Sequence, residues 1–144
     1  MKTFSPKPYF IALLVFAFIG FTDATYLTAT HFMEAPPGCG EDGGCGEVTS
    51  SEYSTLFGLP IAMFGLLYYL SVIFLSLLWI DREITLIPKM MIAWTAPAVL
   101  MSSWLVYLML FVIEAICWYC MGSAASSTLI FITSALLFFK TKGS

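Results

Sequence analysis

Residues 59–80 read LPIAMFGLLYYLSVIFLSLLWI and carry no charged side chain. A helix needs about 20 apolar residues to cross a bilayer, so this stretch is long enough to span a membrane. Three more stretches of similar length and character lie at residues 9–30, 91–113 and 117–139. None of the four alternates apolar and polar side chains, as the strands of a membrane barrel would. The sequence therefore predicts an all-α integral membrane protein, a bundle of four transmembrane helices.

The composition agrees with a membrane domain. Of the 144 residues, 60% are hydrophobic and only 10% are charged, which is too apolar for a soluble domain of this size. The four spans leave room for one substantial loop, so we expect a single membrane domain over residues 1–144. No nucleic-acid partner is expected.

The distribution of basic residues predicts the orientation. All six fall on one side of the four-helix arrangement, and the other side has none: Lys2, Lys7, Arg82, Lys89, Lys140 and Lys142. By the positive-inside rule, both termini lie in the cytoplasm of a multi-pass protein of the inner (plasma) membrane. The loop over residues 31–57 and the short turn over residues 114–116 then lie on the outer, periplasmic side.

An alternative interpretation concerns residues 1–24. Lys2 and Lys7 followed by an apolar run resemble a secretory signal peptide. The apolar run continues through Tyr26 and Leu27, however, and is longer than the usual signal pattern. The sequence favours a retained first helix.

The outer loop combines glycines, two cysteines and an amphipathic segment. Glycine-rich sequence around Cys39 and Cys45 gives a backbone that can reach different sulfur partners in turn. In residues 48–57 the apolar side chains recur at roughly helical spacing. We expect a short amphipathic surface helix there, covering the mouth of the bundle.

The four cysteines form two pairs on the same predicted side of the membrane. Cys117-Trp118-Tyr119-Cys120 is a C-x-x-C pair at the start of the fourth helix, where backbone N–H groups and the helix dipole stabilise a thiolate. Cys39 and Cys45 form the loop pair. Two static disulfides or one zinc site with four thiolate ligands are alternatives. The paired spacing and the shared compartment favour a thiol–disulfide relay.

A relay that ends in the membrane needs an electron acceptor there. A lipid quinone in a cavity between the helices is the natural two-electron acceptor. Aromatic and methionine side chains near the outer ends of the helices are candidates to line that cavity: Phe57, Met63, Phe64, Tyr68, Trp118 and Tyr119. Each of them is also compatible with ordinary packing. Asp23, His31 and Glu114 are the nearest titratable groups and are candidates for moving protons, although all three also suit the membrane interface.

These motifs together resemble the vitamin K epoxide reductase family, in particular its bacterial and archaeal members. The resemblance rests on Cys39-(x5)-Cys45, Ser50-Ser51, the run Leu56-Phe57-Gly58-Leu59-Pro60 and the late C-x-x-C pair. It extends from the first helix to the fourth. The order of the pairs is the specific part, because the DsbB family carries its C-x-x-C in the first outer loop.

The resemblance implies a role for each cysteine. Cys117 and Cys120 match the active-site pair, with Cys120 nearest the quinone. Cys39 would exchange with the thiols of a partner, and Cys45 would pass electrons to Cys117. Ser51 matches a serine that the family places near the quinone.

The sequence also departs from the animal members of the family. They have Thr-Thr-Tyr just after the C-x-x-C pair, where this chain has Gly122-Ser123-Ala124, and an asparagine near the position of Ile61. Contacts to the quinone headgroup must therefore differ, and reduction of an epoxide does not follow. Many bacterial relatives carry a fused thioredoxin-like domain. This chain reaches Ser144 without one, so a separate thioredoxin-fold partner with a C-x-x-C pair is expected.

The functional hypothesis is a quinone-dependent thiol–disulfide oxidoreductase that supports disulfide formation outside the cytoplasm. Its quinone would be ubiquinone, menaquinone or phylloquinone. Two alternatives remain open at this point: a thiol-based carrier of a soft heavy-metal ion, and a non-catalytic membrane subunit with structural disulfides.

Overall fold

The computed structural model describes residues 5–33 and 52–143. Within this part, four long helices follow one another: α1 (Lys7–Phe32), α2 (Ile61–Arg82), α3 (Ile87–Tyr107) and α4 (Trp118–Gly143). A π-helical turn, Leu108–Val112, extends α3. All four helices, with this turn included, are long and apolar enough to cross a membrane, which confirms the predicted helical membrane fold.

The third helix begins earlier than its apolar pattern predicts. It starts at Ile87 rather than near residue 91, with Pro88 and Lys89 in its first turn. Proline is well suited to that position because its missing N–H would have no partner there in any case. Lys89 therefore lies in the first turn of the helix, before the predicted span of residues 91–113.

Adjacent helices run in opposite directions. Phe10, near the start of α1, stacks on Trp79, near the end of α2, with ring centroids 4.1 Å apart. At the same end of the bundle, Lys140 of α4 donates a hydrogen bond to the Tyr9 hydroxyl at 2.6 Å. The basic residues of the described helices therefore gather at one end, and the C-x-x-C pair lies at the opposite end.

Helix α1 is the centre of the bundle. Its buried residues recur every three or four positions and form one continuous stripe: Phe10, Leu13, Ala17, Gly20, Ala24 and Leu27. This stripe packs on α2 and α4, whereas α3 packs mainly on α4. Because α2 and α3 have little direct contact, a cleft remains between them.

The outward faces of the helices are strongly apolar. Large side chains such as Phe18, Phe74 and Leu100 are more than half exposed. An apolar surface of this extent would aggregate in water and is what a lipid environment requires. The fold therefore presents its outer faces to the bilayer.

The described part of the loop before α2 differs from the predicted surface helix. Only Glu52–Ser54 is helical, as one 3₁₀ turn, and a two-stranded antiparallel hairpin follows with β1 (Thr55–Leu56) and β2 (Leu59–Pro60). Phe57 and Gly58 form the hairpin turn, with φ of 55° and 81°. Two consecutive positive φ values are typical of the tight turn that matches strand twist. The predicted helix over residues 48–57 is therefore wrong beyond Ser54. Residues 48–51 of that segment lie outside the described residues.

Candidate functional site

Cys117 lies immediately before α4, at the position that caps the helix. The chain reaches it from α3 through a short connection in which Glu114 adopts a left-handed conformation, with φ of 56°. The backbone N–H of Cys120 donates to the Sγ of Cys117 at 3.4 Å. This is the hydrogen bond that a capping side chain makes with the third residue of a helix. The C-x-x-C spacing thus places the first sulfur on the helix axis, facing the unpaired N–H groups.

The cap position favours the thiolate of Cys117, which lies just outside the membrane-spanning part of α4. The hydrogen bond from the Cys120 side chain, helped by the N–H groups of Cys120 and Tyr119, lowers the pKa of the Cys117 thiol to about 7. Burial and the negative charge of Asp23 act in the opposite direction. Because the thiolate is the nucleophile in disulfide exchange, Cys117 is the more activated sulfur of the pair.

Cys117 is completely buried, and Met109 of the π-helical turn packs against it. Its backbone N–H donates to the Sδ of Met109 at 3.3 Å, and Met109 is only 2% exposed. Tyr119 and Cys120 complete this small cluster. The Met109 side chain therefore holds the turn between α3 and α4 against the cysteine pair.

A cavity of about 440 Å³ lies between the four helices, next to the cysteine pair. This volume is within the range of about 300–1,000 Å³ that is typical of small-molecule sites. The wall is mainly apolar and includes Leu27 of α1, Phe64 of α2, Pro97 and Met101 of α3, and Ala124 of α4. Tyr53, Ser54 and Leu56, next to the hairpin, close one end.

The two cysteines of the pair face different surroundings. Cys120 is part of the cavity wall and is half-buried, whereas Cys117 is fully buried and does not belong to the wall. Both are free thiols in this structure. A molecule in the cavity would therefore meet the sulfur of Cys120 first.

A hydroxyl cluster lies on the same wall. The Tyr69 hydroxyl hydrogen-bonds the carbonyl oxygen of Ser123 at 2.7 Å and the hydroxyls of Ser123 and Ser127 at 2.9 and 3.1 Å. All three residues line the cavity. Tyr68 also lines it, and its buried hydroxyl has no hydrogen-bond partner among the described residues. A buried hydroxyl without a partner costs free energy, so this oxygen is suited to pairing with a bound molecule.

Three of the candidates predicted from the sequence lie on the cavity wall. Phe64 and Tyr68 of α2 contribute to it, as does His31 near the end of α1. Cys39, Cys45 and Ser51 lie outside the described residues.

Four other candidates do not line the cavity. Phe57 is 93% exposed, because the left-handed turn of the hairpin directs it outwards. Trp118 is 67% exposed, since it starts α4 on the face away from the bundle. Tyr119 instead packs against Tyr26 of α1, with ring centroids 4.9 Å apart and ring planes tilted by 40°. Met63 precedes the cavity residue Phe64 on α2 and is absent from the wall.

The two acids predicted as proton carriers differ in their surroundings. Glu114 is exposed in the turn before α4. Asp23 is partly buried in α1, and one of its carboxylate oxygens is buried without a hydrogen-bond partner in the part of the chain that the structure describes. Its negative charge raises the pKa of the Cys117 thiol. Asp23 is therefore the acid that can influence the thiols.

Sequence reasoning did not identify Tyr69, Ser123, Ser127 or Met109. One signal for the serines was present, because positions 120, 123 and 127 share a helix face. Within the described ranges, no three His, Cys, Asp or Glu side chains are grouped so as to hold a metal ion. A thiolate metal site would thus need the loop cysteines.

The site just described is a cysteine pair at the start of a helix, beside an apolar cavity in a four-helix membrane bundle. A family model for the vitamin K epoxide reductase family matches residues 11–135. The chain belongs to this family. The match covers all four helices, from the second turn of α1 to the last turns of α4, and so includes both cysteine pairs. This member of the vitamin K epoxide reductase family is a membrane oxidoreductase.

Proposed function

We propose that this protein oxidises thiols of a thioredoxin-fold partner and passes the electrons to a lipid quinone. The observation that carries the proposal is the split environment of the C-x-x-C pair. Cys120 faces the cavity, and Cys117 is buried behind it with a lowered pKa. A pair arranged in this way can exchange with a disulfide on one side and reduce an acceptor on the other.

The cavity has the properties that a quinone headgroup requires. Its wall is mainly apolar with a few hydroxyls, and one of these, on Tyr68, has no partner within residues 5–33 and 52–143. A quinone ring offers the same combination, with apolar faces and two carbonyl oxygens that accept hydrogen bonds. The cleft between α2 and α3 gives an isoprenoid tail a path to the surrounding lipid. The quinone itself is ubiquinone, menaquinone or phylloquinone.

The loop pair would connect the partner to the helix pair. Thiols of the partner attack the Cys39–Cys45 disulfide at Cys39, and Cys45 then exchanges with the disulfide of the helix pair at Cys117. The partner leaves as a disulfide, and Cys117 and Cys120 are left as two thiols. When these close again to a disulfide, they release two electrons and two protons, which convert the quinone to the quinol.

The sidedness follows from charge. The basic ends of the described helices lie opposite the cysteine pair, and cytoplasmic ends are the ones enriched in Lys and Arg. Both termini would then be cytoplasmic, and both cysteine pairs would face the oxidising compartment outside the inner (plasma) membrane. Disulfides persist in such a compartment, which agrees with a role in disulfide formation.

Quinone reduction by the purified full-length protein tests the proposal. A reduced thioredoxin-fold protein serves as donor, and the Cys120→Ala variant is measured beside the wild type. We expect turnover with the wild type and none with the variant. No turnover with any quinone, together with stoichiometric binding of a soft metal ion by the four thiols, would instead support a metal carrier.

A further inference from the structure

The Tyr69 hydroxyl takes part in three hydrogen bonds but has only one proton to donate. One partner is the carbonyl oxygen of Ser123, which can only accept, so the Tyr69 proton must go to it. The bonds to the Ser123 and Ser127 hydroxyls must then be donated by the serines. In this arrangement the serine protons point at Tyr69, and lone pairs of both serine oxygens remain free.

The serine hydroxyls lie on the same face of α4 as the sulfur that meets the cavity. Cys120, Ser123 and Ser127 are spaced three and four residues apart, which places them in one row along the helix. All three residues line the cavity. A planar molecule lying along this row would contact the sulfur and the hydroxyls together.

Tyr69 is fixed in position from the other side. It is 1% exposed, and its ring lies against Gly20 of α1 so closely that a Cβ at Gly20 would fall 2.2 Å from its Cε1. The ring has no room to turn away from the serines. The hydroxyls of Tyr69, Ser123 and Ser127, which we call the Tyr69 cluster, are therefore a prearranged polar patch in a mainly apolar wall.

We propose that the Tyr69 cluster binds an oxygen of the quinone headgroup and positions the ring against Cys120. This inference rests on the proposed function. The hydroxyls suit both redox forms of the ligand. A serine hydroxyl rotates to donate to the carbonyl oxygen of a quinone, and in the observed arrangement its free lone pair accepts from the hydroxyl of a quinol. A backbone amide or a lysine, which can only donate, would favour the oxidised form alone.

Quinone binding measured without an electron donor tests this role apart from activity. Trp94 lies on the cavity wall, so quenching of tryptophan fluorescence by a tail-less naphthoquinone and by a short-tailed benzoquinone reports occupancy. The variants are Ser123→Ala and Ser127→Ala, with Ser123→Thr as a variant that keeps the hydroxyl. The matched control is Ser126→Ala, because Ser126 is a buried serine of the same helix that does not line the cavity.

We expect the Kd to rise about 2- to 12-fold for each alanine variant, the equivalent of one ordinary hydrogen bond. Ser123→Thr and Ser126→Ala should bind as the wild type does. Thermal unfolding of all variants in the same detergent shows whether the serines contribute to stability by joining α2 to α4. Unchanged Kd values in both alanine variants, with or without a lower unfolding temperature, would overturn the inference and leave the proposed function intact. Failure of the wild type to bind any quinone would overturn both.

Discussion

The backbone N–H of Cys117 donates to the sulfur of Met109 at 3.3 Å, across the turn that joins α3 to α4. Cys117 precedes a helix, where the first N–H groups have no intrahelical acceptor. Because Cys117 is fully buried, water cannot supply one either. Met109 also lines the cavity, so one side chain contacts both the reactive cysteine and the space beside Cys120. Its position depends on the π-helical turn, and such turns occur frequently at functional sites.

Met109→Leu tests this contact. Leucine keeps most of the apolar volume but has no acceptor for the Cys117 N–H, which would then be buried and unpaired. We expect a loss of about 1 kcal/mol in the free energy of unfolding and slower exchange at Cys117. Met121→Leu is the control, because Met121 lies one turn away on α4 outside the cavity wall. Equal effects of the two substitutions would show that the Met109 sulfur has no special role.

Gly20→Ala tests how tightly Tyr69 is held. A Cβ at Gly20 would overlap the Tyr69 ring, and the ring cannot move freely because it is buried and bonded to α4. Overpacking of this kind costs about 1–3 kcal/mol. We expect a lower unfolding temperature and weaker quinone binding. Gly122→Ala is the matched control, since nothing lies within 4 Å of a Cβ there. If Gly20→Ala is as stable as Gly122→Ala, the close contact does not constrain Tyr69.

The sequence was sufficient to predict the helices and the position of the C-x-x-C pair at a helix start, because each depends on local information. Apolar length reveals a membrane span, and the spacing of Cys117 and Cys120 defines a helix-start pair. The contact between Gly20 and Tyr69 depends on how α1 crosses α2, which the sequence pattern does not specify. Met109 was missed for a related reason, since the π-helical turn changes which side chain faces Cys117.

The position of Phe57 shows another limit. Its apolar character and helical spacing from Tyr53 predicted a place in the cavity, yet it lies at the turn of a hairpin with φ of 55°. A bulky residue with positive φ is uncommon, so the residue type at position 57 favoured a helix over a turn. The following Gly58 was the available signal, because a glycine at the second turn position is typical of this hairpin type.

Cys117→Ser separates a catalytic role from a structural one. Serine keeps an acceptor at the capping position, so the helix start should remain stable. Alanine lacks the acceptor and should cost about 1 kcal/mol. We expect both variants to lose quinone reduction completely at matched protein concentration, although only Cys117→Ala is measurably destabilised. Retained turnover in Cys117→Ser would show that electron transfer does not need the Cys117 sulfur and that its role is structural.

The pH dependence of Cys117 tests the influence of Asp23. The surroundings of Cys117 lower the pKa of its thiol to about 7, so its rate of alkylation should be half-maximal near pH 7 and level off about one pH unit above that. The charge of Asp23 raises that pKa, so Asp23→Asn should move the midpoint to lower pH. Glu114→Gln is the control, because Glu114 is closer than Asp23 to Cys117 in sequence but is exposed. The measurement uses a small thiol reagent and mass spectrometry to separate Cys117 from Cys120, in a background with Cys39→Ala and Cys45→Ala. A midpoint that is the same in Asp23→Asn and in the parent would show that Asp23 has no electrostatic influence on the Cys117 thiol.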